Sequence, residues 1–270
     1  MRGFLRTTVL AVAVLTVGIC CQAGQTISVE ARGISVAGPG YGDFMDGVQP
    51  FHNNGGTRVA LMLLAPDGGL LSFNENASKV STFQDEKGKN LLLTKQKTFR
   101  GPGFSAFPKI SKDTKACILE VHSPEVPTKG AVEITLVGEA VMLTATQKQD
   151  FPVENVALKS GTTFKGGELN FEIKKCAKSE FDPKFPLEIE FAFKQDTTTL
   201  VGLKFFDAAG AEVACQRGGS SRMSFGNNIN ETVTFRLKQA LPAASKIVVT
   251  TWMDMKEVRI PVSVKVGPGL

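Results

Sequence analysis

The fold is decided by the stretch Ile118-Leu-Glu-Val-His-Ser-Pro-Glu-Val-Pro127, which Val132-Glu-Ile-Thr-Leu136 follows. A similar stretch, Val233-Thr-Phe-Arg-Leu-Lys-Gln-Ala-Leu-Pro242 followed by Ile247-Val-Val-Thr-Thr251, lies further along the chain at an ungapped offset of 115 residues (233 minus 118). This offset superposes two apolar runs and both prolines. Self-similarity at the spacing of a domain predicts two copies of one β fold in tandem.

Each half also carries an apolar run that ends in an aspartate turn. Val59 to Leu64 leads into Asp67-Gly-Gly69, and Leu200 to Phe206 leads into Asp207-Ala-Ala-Gly210. Aspartate bonds the backbone that follows it, and glycine adopts positive φ, so both segments are typical of hairpin turns. A turn explains these aspartates without a calcium ion.

Apolar residues recur along the chain with a period of two. Leu187, Ile189, Phe191 and Phe193 alternate with Glu188, Glu190, Ala192 and Lys194, and the same alternation recurs in the segments 27–31, 132–136, 169–173, 233–237 and 258–264. This pattern predicts strands with one buried face and one solvated face, as in antiparallel sandwiches. The expected fold class is therefore all-β.

The first 24 residues have the composition of a secretory signal peptide. Arg2 and Arg6 precede the apolar stretch from Thr8 to Ile19, and the small residues Ala23 and Gly24 follow. We expect the mature chain to begin at Gly24 or Gln25 and to have no membrane insertion after signal cleavage, because no later segment approaches a membrane span. The expected location is secreted or periplasmic, at the cell envelope. Lipidation at Cys20 or Cys21 is a minor alternative.

The mature chain divides into two domains of ordinary size. Without residues 1–24 it carries 29 basic and 26 acidic residues, a net charge of +3, which is no basis for nucleic-acid binding. The polar segment from Gln147 to Pro152 is the expected boundary. We therefore predict a first β-sandwich domain at 25–148 and a second at 149–270.

Three cysteines remain after export, so at most one internal disulfide is possible. Cys176 and Cys215 share the second half and are the pair that we expect if any pair forms. The alternative is that all three, including Cys117, are buried small apolar side chains.

The arrangement of strands, Asp/Gly hairpins and proline corners resembles secreted bacterial immunoglobulin-like β-sandwich proteins. The resemblance rests on the Val126-Pro127 and Leu241-Pro242 corners with a closing strand after each, and it covers most of the mature chain. It implies two tandem immunoglobulin-like antiparallel β-sandwich domains. An antibody-type domain is disfavoured, because Trp252 follows Cys176 and Cys215 instead of lying between them.

Catalytic and metal-binding motifs are not evident. His52 and His122 are the two histidines of the chain, so a three-histidine zinc site is impossible, and we expect no metal and no cofactor. Ser, His and Asp side chains can still meet in space. Glu188 and Glu190 offer a carboxylate pair, but they lie on the outward face of one strand, where we expect a solvated surface.

Two long loops in the first half exceed what a minimal sandwich requires. They span residues 38–56 and 95–109 and are rich in glycine, proline and aromatic residues. Tyr41, Phe44, Arg100 and Phe104 are the candidate ligand-binding residues, since aromatic and arginine side chains often dominate binding. The alternative is that these aromatics close the open end of the sandwich.

These observations predict an exported, non-enzymatic binding or structural module of the cell envelope or extracellular space. Its partner would be an unidentified protein or glycan. One alternative is an extracellular hydrolase acting on polysaccharide or ester. Another is an assembly subunit that uses strand addition at an exposed edge.

Overall fold

The structure is a computed structural model that describes residues 20–22, 25–38, 55–93, 101–179, 182–225 and 228–267. These residues form nineteen strands and no helix, and every strand pairing is antiparallel. The prediction of an all-β fold is confirmed. In this part of the chain, no helix is suited to crossing a membrane.

The chain forms two compact units, Met1–Ala145 together with Lys256–Leu270, and Thr146–Met255. The strands of the first unit that precede the second unit in the chain are β1 (Cys20–Gln22), β2 (Gln25–Ala37), β3 (Gly56–Leu64), β4 (Leu70–Phe73), β5 (Lys79–Asp85), β6 (Gly103–Phe104), β7 (Lys109–Ile110), β8 (Ala116–Ser123) and β9 (Ile134–Thr144). Those of the second unit are β10 (Lys148–Ala157), β11 (Thr163–Gly166), β12 (Leu169–Ala177), β13 (Leu187–Phe193), β14 (Leu200–Phe206), β15 (Glu212–Val213), β16 (Cys215–Phe225), β17 (Asn228–Leu237) and β18 (Ala244–Trp252). The last strand, β19 (Lys256–Val266), returns to the first unit.

The first unit consists of two sheets around one apolar core. One sheet has the order β1-β2-β3-β8-β6, with β7 also paired to β8, and the other has the order β19-β9-β4, with β5 also paired to β9. Alternate residues of both sheets, such as Val59, Leu119, Leu136 and Ile260, are buried in the shared core. This is the half-buried alternation that the sequence predicts.

The second unit also has two sheets, ordered β10-β18-β14-β15 and β11-β12-β13-β17-β16. Its core is a phenylalanine cluster, in which the ring of Phe191 lies 5.7 Å from that of Phe171 and 5.9 Å from that of Phe235. Ile189, Phe191 and Phe193 are buried, and Leu187 packs against them at the edge of the core. The predicted common facing of these four side chains is confirmed.

The division of the chain differs from the predicted boundary at 148/149. The sequence assigned residues 149–270 to a second domain, whereas Lys256–Leu270 belongs to the first unit. The reason is that β19 pairs with β9 at eleven consecutive positions, from Lys256 opposite Thr144 to Val266 opposite Ile134.

The upstream runs matched in the two halves lie in different sheets. β3 contains residues 59–64 and pairs with β8, whereas β14 contains residues 200–206 and pairs with β18. In the second unit β13 pairs with β17, and in the first unit β3 pairs with β8. Periodicity predicts that both runs are strands and which face of each is buried, but not which strand lies beside it.

The two aspartate turns also differ. The carboxylate of Asp207 accepts hydrogen bonds from the backbone N–H groups of Ala209 and Ala211, both at 2.9 Å, and Gly210 has a φ of 78° in the hairpin between β14 and β15. The segment around Asp67 instead links β3 to β4, which lie in different sheets. Gly69 is required there, because an added Cβ would lie 1.7 Å from the carbonyl oxygen of Ala145.

Candidate functional site

The four predicted binding residues are only partly described. Tyr41, Phe44 and Arg100 lie outside the described residues. Phe104 is described: it is 7% exposed, and its ring packs edge-on against Phe73 at a centroid distance of 5.6 Å. Phe104 thus belongs to the core of the first unit and presents little of its ring to solvent.

Phe104 lies at a cavity of about 420 Å³ in the first unit. The cavity lies between the turn that joins β4 to β5 and the segment that leads into β6. Its lining residues are Glu75, Ser78, Lys79, Val80, Gly101, Pro102, Gly103 and Phe104. Of the predicted loop 95–109, the described residues that line the cavity are 101–104.

The turn at this cavity is held by hydrogen bonds within the unit. The backbone N–H of Ala77 donates to the side-chain oxygen of Asn74 at 3.2 Å, and the Ser78 hydroxyl donates to the Asn74 carbonyl at 2.7 Å. The Asn74 amide donates in turn to Glu257 of β19 at 2.7 Å, and Ser78 Oγ accepts the N–H of Val141 at 2.8 Å. Hydrogen bonds therefore attach the turn to β19 and to β9 of the second sheet.

The cavity combines opposite charges with a small apolar surface. Glu75 and Lys79 are both exposed, so a carboxylate and an ammonium group face solvent at its rim, while Phe104 supplies apolar surface. Gly101 leaves open space, because a Cβ added there would meet no atom within 4 Å. Such a lining can hold a polar group between a hydrogen-bond acceptor and a cationic donor.

The sequence indicated Phe104 but not the residues of the facing turn. Glu75 and Ser78 lie in a polar connection between two strands and Lys79 begins the second of them, a pattern that is typical of any surface turn. The contact between β5 and β6, which lie in different sheets, places them beside the predicted loop.

A buried aspartate organises a second polar cluster in the first unit. Asp85 is 1% exposed, and its carboxylate accepts N–H groups from Lys87 at 3.0 Å, Lys89 at 2.8 Å and Thr128 at 2.7 Å. Burial raises the pKa of Asp85, but these hydrogen bonds outweigh it and the net pKa is lowered. The carboxylate thus stays ionised and fixes the connection between β8 and β9.

Asp254 plays a similar part in the second unit. Its carboxylate accepts the N–H groups of Thr146 and Gln147, both at 2.7 Å, together with the Thr146 hydroxyl. Burial raises the pKa of Asp254, but these hydrogen bonds lower it by more, so the net pKa is about 2. The pKa is also lowered for Glu86, Asp113, Asp150 and Asp196. These carboxylates are hydrogen-bond acceptors, and none of the six has the raised pKa of a general acid.

The sequence predicted that Glu188 and Glu190 both lie on a solvated surface, but Glu188 is buried. Glu188 is 7% exposed, and its carboxylate contacts Arg236 Nε at 3.0 Å and Lys175 Nζ at 3.8 Å. Glu188 lies on the outward face of a central strand, and the long side chains of the flanking strands cover it. It therefore belongs to a cross-strand ion network.

Cys176 and Cys215 do not form the expected disulfide. Both are free thiols, as is Cys117. Cys176 lies on β12 and Cys215 on β16, with β13 and β17 between them. Three inter-strand spacings amount to about 14 Å, more than a disulfide spans. Burial raises the pKa of all three thiols, to about 12 for Cys117. No group of His, Cys, Asp and Glu suited to a metal ion occurs among the residues described.

Comparisons with known proteins do not identify the chain. No protein-family model matches it, and no curated protein matches it. One solved structure, that of a conserved domain protein from Bacillus anthracis, is 9% identical and aligns over 94% of this chain and 91% of that one, with a TM-score of 0.22. A similarity at this level carries no argument about fold or function.

Proposed function

We propose that the chain is an exported, non-enzymatic binding module of two tandem immunoglobulin-like β-sandwiches, acting at the cell envelope or outside the cell. Its ligand, a protein or a glycan, binds at the cavity lined by Glu75, Lys79, Gly101 and Phe104. Export is supported by the sequence order of Arg2 and Arg6, an apolar stretch and small residues.

The strand order of the second unit supports the immunoglobulin-like assignment. In immunoglobulin domains, strands A, B, E and D form one sheet, and C, F and G form the other. The order β12-β13-β17-β16 corresponds to A-B-E-D. The order β15-β14-β18-β10 corresponds to C′-C-F-G, with β10 in the place of G.

The first unit repeats this arrangement. β2, β3 and β8 take the places of A, B and E, and β4, β9 and β19 take those of C, F and G. The offset of 115 residues then relates β8 to β17 and the start of β9 to the end of β18, and Pro127 and Pro242 lie in the same connection, between E and F. The correspondence supports a tandem repeat.

The observation that carries the binding proposal is the cavity itself. It brings residues 101–104 of the loop that the sequence marks for binding against Glu75 in the turn and Lys79 at the start of β5, and hydrogen bonds to two strands hold that turn in place. A preformed site of this kind loses little conformational freedom on binding.

The test uses the mature chain on a glycan array and in pull-downs from extracellular protein fractions. Gly101→Phe adds a bulky ring to the lining of the cavity, and we expect a loss of affinity of about tenfold or more, which is about 1.4 kcal/mol. Gly33→Phe is the matched control, because Gly33 is also exposed and a Cβ there also meets no atom within 4 Å. Equal binding by both variants would refute the site.

A second candidate function, assembly by strand addition, is supported by the edge strand β16. Within the described residues this eleven-residue strand pairs on one side only, with β17, and residues 219–224 are exposed. Edge strands β10 and β19 carry Pro152 and Pro261, which interrupt pairing, whereas β16 contains no proline. Met223→Lys places a charge on this edge and should abolish pull-down of an extended partner; unchanged capture would reject this candidate.

A further inference from the structure

Each unit takes its last strand from the other repeat. In an immunoglobulin domain, strand G follows F directly as a hairpin. Here β10 follows β9 but pairs with β18, and β19 follows β18 but pairs with β9. The last strands of both repeats have thus changed places.

The two strands have related sequences and equivalent positions. Phe151-Pro-Val153 on β10 and Ile260-Pro-Val262 on β19 match in residue type, and each strand lies at the edge of its sheet. Pro152 pairs opposite Val248, and Pro261 pairs opposite Glu139. Proline is tolerated at such edges because its missing N–H faces away from the ladder.

The linkers before these strands have the length of hairpin loops. Three residues separate β9 from β10, and three separate β18 from β19. Two to five residues are usual for an F–G hairpin. The Met253 N–H donates to the Gln147 carbonyl at 3.1 Å, and Asp254 accepts from Thr146 and Gln147, so the linkers are bonded to each other.

Charge distinguishes the two strands. β19 is basic where it meets the first unit: Arg259 pairs with Glu139, and Lys265 lies 2.8 Å from Glu133. β10 is acidic where it meets the second unit, and its pairs are Asp150 with Lys204 at 3.3 Å and Glu154 with Lys246 at 2.8 Å. In these four pairs, each sheet places a charge opposite in sign beside the strand at its edge.

The ordinary arrangement would place like charges together. When Pro152 is matched to Pro261, Asp150 takes the position of Arg259, beside Glu139. Arg259 in turn takes the position of Asp150, beside Lys204. Like charges facing each other across strands are destabilising, and such repulsion is a common basis of pairing specificity.

We infer that the two repeats have exchanged their last strands, that charge selects this exchange, and that the edge of β9, which holds the chain's own β19, also accepts the basic strand β19 of a second copy. The inference rests on the immunoglobulin-like repeat proposed above. The fit is that of the chain's own strand: Val258, Ile260, Val262, Val264 and Val266 are buried in the first unit. A second copy carries the same side chains, and exchange of an identical element is a common route to dimers.

Cysteine pairs in the full chain show which strand lies beside β9. Val137 and Ser263 are partners in the β9–β19 register. When Pro152 is matched to Pro261 and β10 pairs without its bulge between Val153 and Val156, Glu154 takes the place of Ser263 in the ordinary arrangement. After oxidation, mass spectrometry should find the disulfide in V137C/S263C and not in V137C/E154C. The opposite pattern would overturn the exchange. This readout needs no ligand, so failed binding at the cavity leaves it unaffected.

The same pair tests the selection by charge. In a D150R/R259D background, the yield of the V137C/S263C disulfide should fall at least about twofold, because like charges now face each other in the exchanged arrangement. The control is D150N/R259Q, which removes the charges without reversing them and should lower the yield less. Equal yields in the wild-type and charge-reversed backgrounds would overturn the selection.

Mixing two copies tests the partner. Full-length V137C and S263C chains, one of them tagged, are unfolded and refolded together, and a disulfide between copies is expected. V137C mixed with T82C is the control, because Thr82 faces Val137 from β5, which is not exchanged. If the S263C mixture yields no dimer, or no more than the T82C mixture, a second copy does not occupy this edge.

Discussion

Truncation of Phe191 removes the centre of the second unit's core. Phe191 is fully buried, and its ring lies between 5.7 and 6.4 Å from those of Phe164, Phe171, Phe205 and Phe235. Phe→Ala in a core costs about 3–5 kcal/mol. Aromatic pairs contribute about 0.5–1.5 kcal/mol each beyond the buried area. Because four rings lose their partner, we expect Phe191→Ala to cost about 4–5 kcal/mol.

The chain contains its own probe for this measurement. Trp252 is the single tryptophan, is 5% exposed and lies on β18 of the second unit. Urea unfolding followed by its fluorescence therefore reports the free energy of unfolding of that unit. Met223→Ala is the control, because Met223 is 57% exposed and its loss should cost less than about 0.5 kcal/mol. A loss below about 1 kcal/mol for Phe191→Ala would refute the placement of its ring in the core.

Three further predictions concern Asp254, the thiols and the N-terminus. The pKa of Asp254 is lowered from 3.8 to about 2, so its contribution to stability is complete above the ordinary pKa and is lost as the pH falls through about 2. Asp254→Asn should lower the stability at pH 7 and flatten the acid dependence of Trp252 fluorescence between these two pH values. An unchanged acid profile would contradict the role of the carboxylate. Burial and a pKa of about 12 should leave Cys117 unreactive toward a thiol reagent in the native chain and reactive in urea; labelling without denaturant would contradict this placement. N-terminal sequencing of the exported chain should begin at Gly24 or Gln25, whereas a blocked Cys20 or Cys21 would indicate lipidation.

Sequence periodicity predicted the strands and their buried faces well. The alternation at 187–193 and 258–264 matches β13 and β19. It can be recognised because alternate burial of side chains shows in the sequence of a single strand. The partner of a strand depends instead on residues far away. For this reason, β19 was expected in the second half, although its ladder is with β9.

Side-chain environments were harder to predict for the same reason. Glu188 lies on the predicted outward face, yet Arg236 and Lys175 on neighbouring strands cover it. Cys176 and Cys215 share a half but lie three strand spacings apart in one sheet. At the cavity, Phe104 was singled out from its loop, whereas the placement of Glu75 and Lys79 beside it depends on the contact of β5 with β6, a strand of the other sheet.

Backbone NMR of the unmodified mature chain tests most directly whether the two proposed immunoglobulin-like sandwiches hold each other's last strands. In the exchanged arrangement, nuclear Overhauser effects connect residues 134–144 with 256–266, including Ala140 with Ile260, and residues 148–157 with 244–252, including Pro152 with Val248. Contacts of residues 134–144 with 148–157 instead, as in an ordinary hairpin between neighbouring strands, would contradict the account.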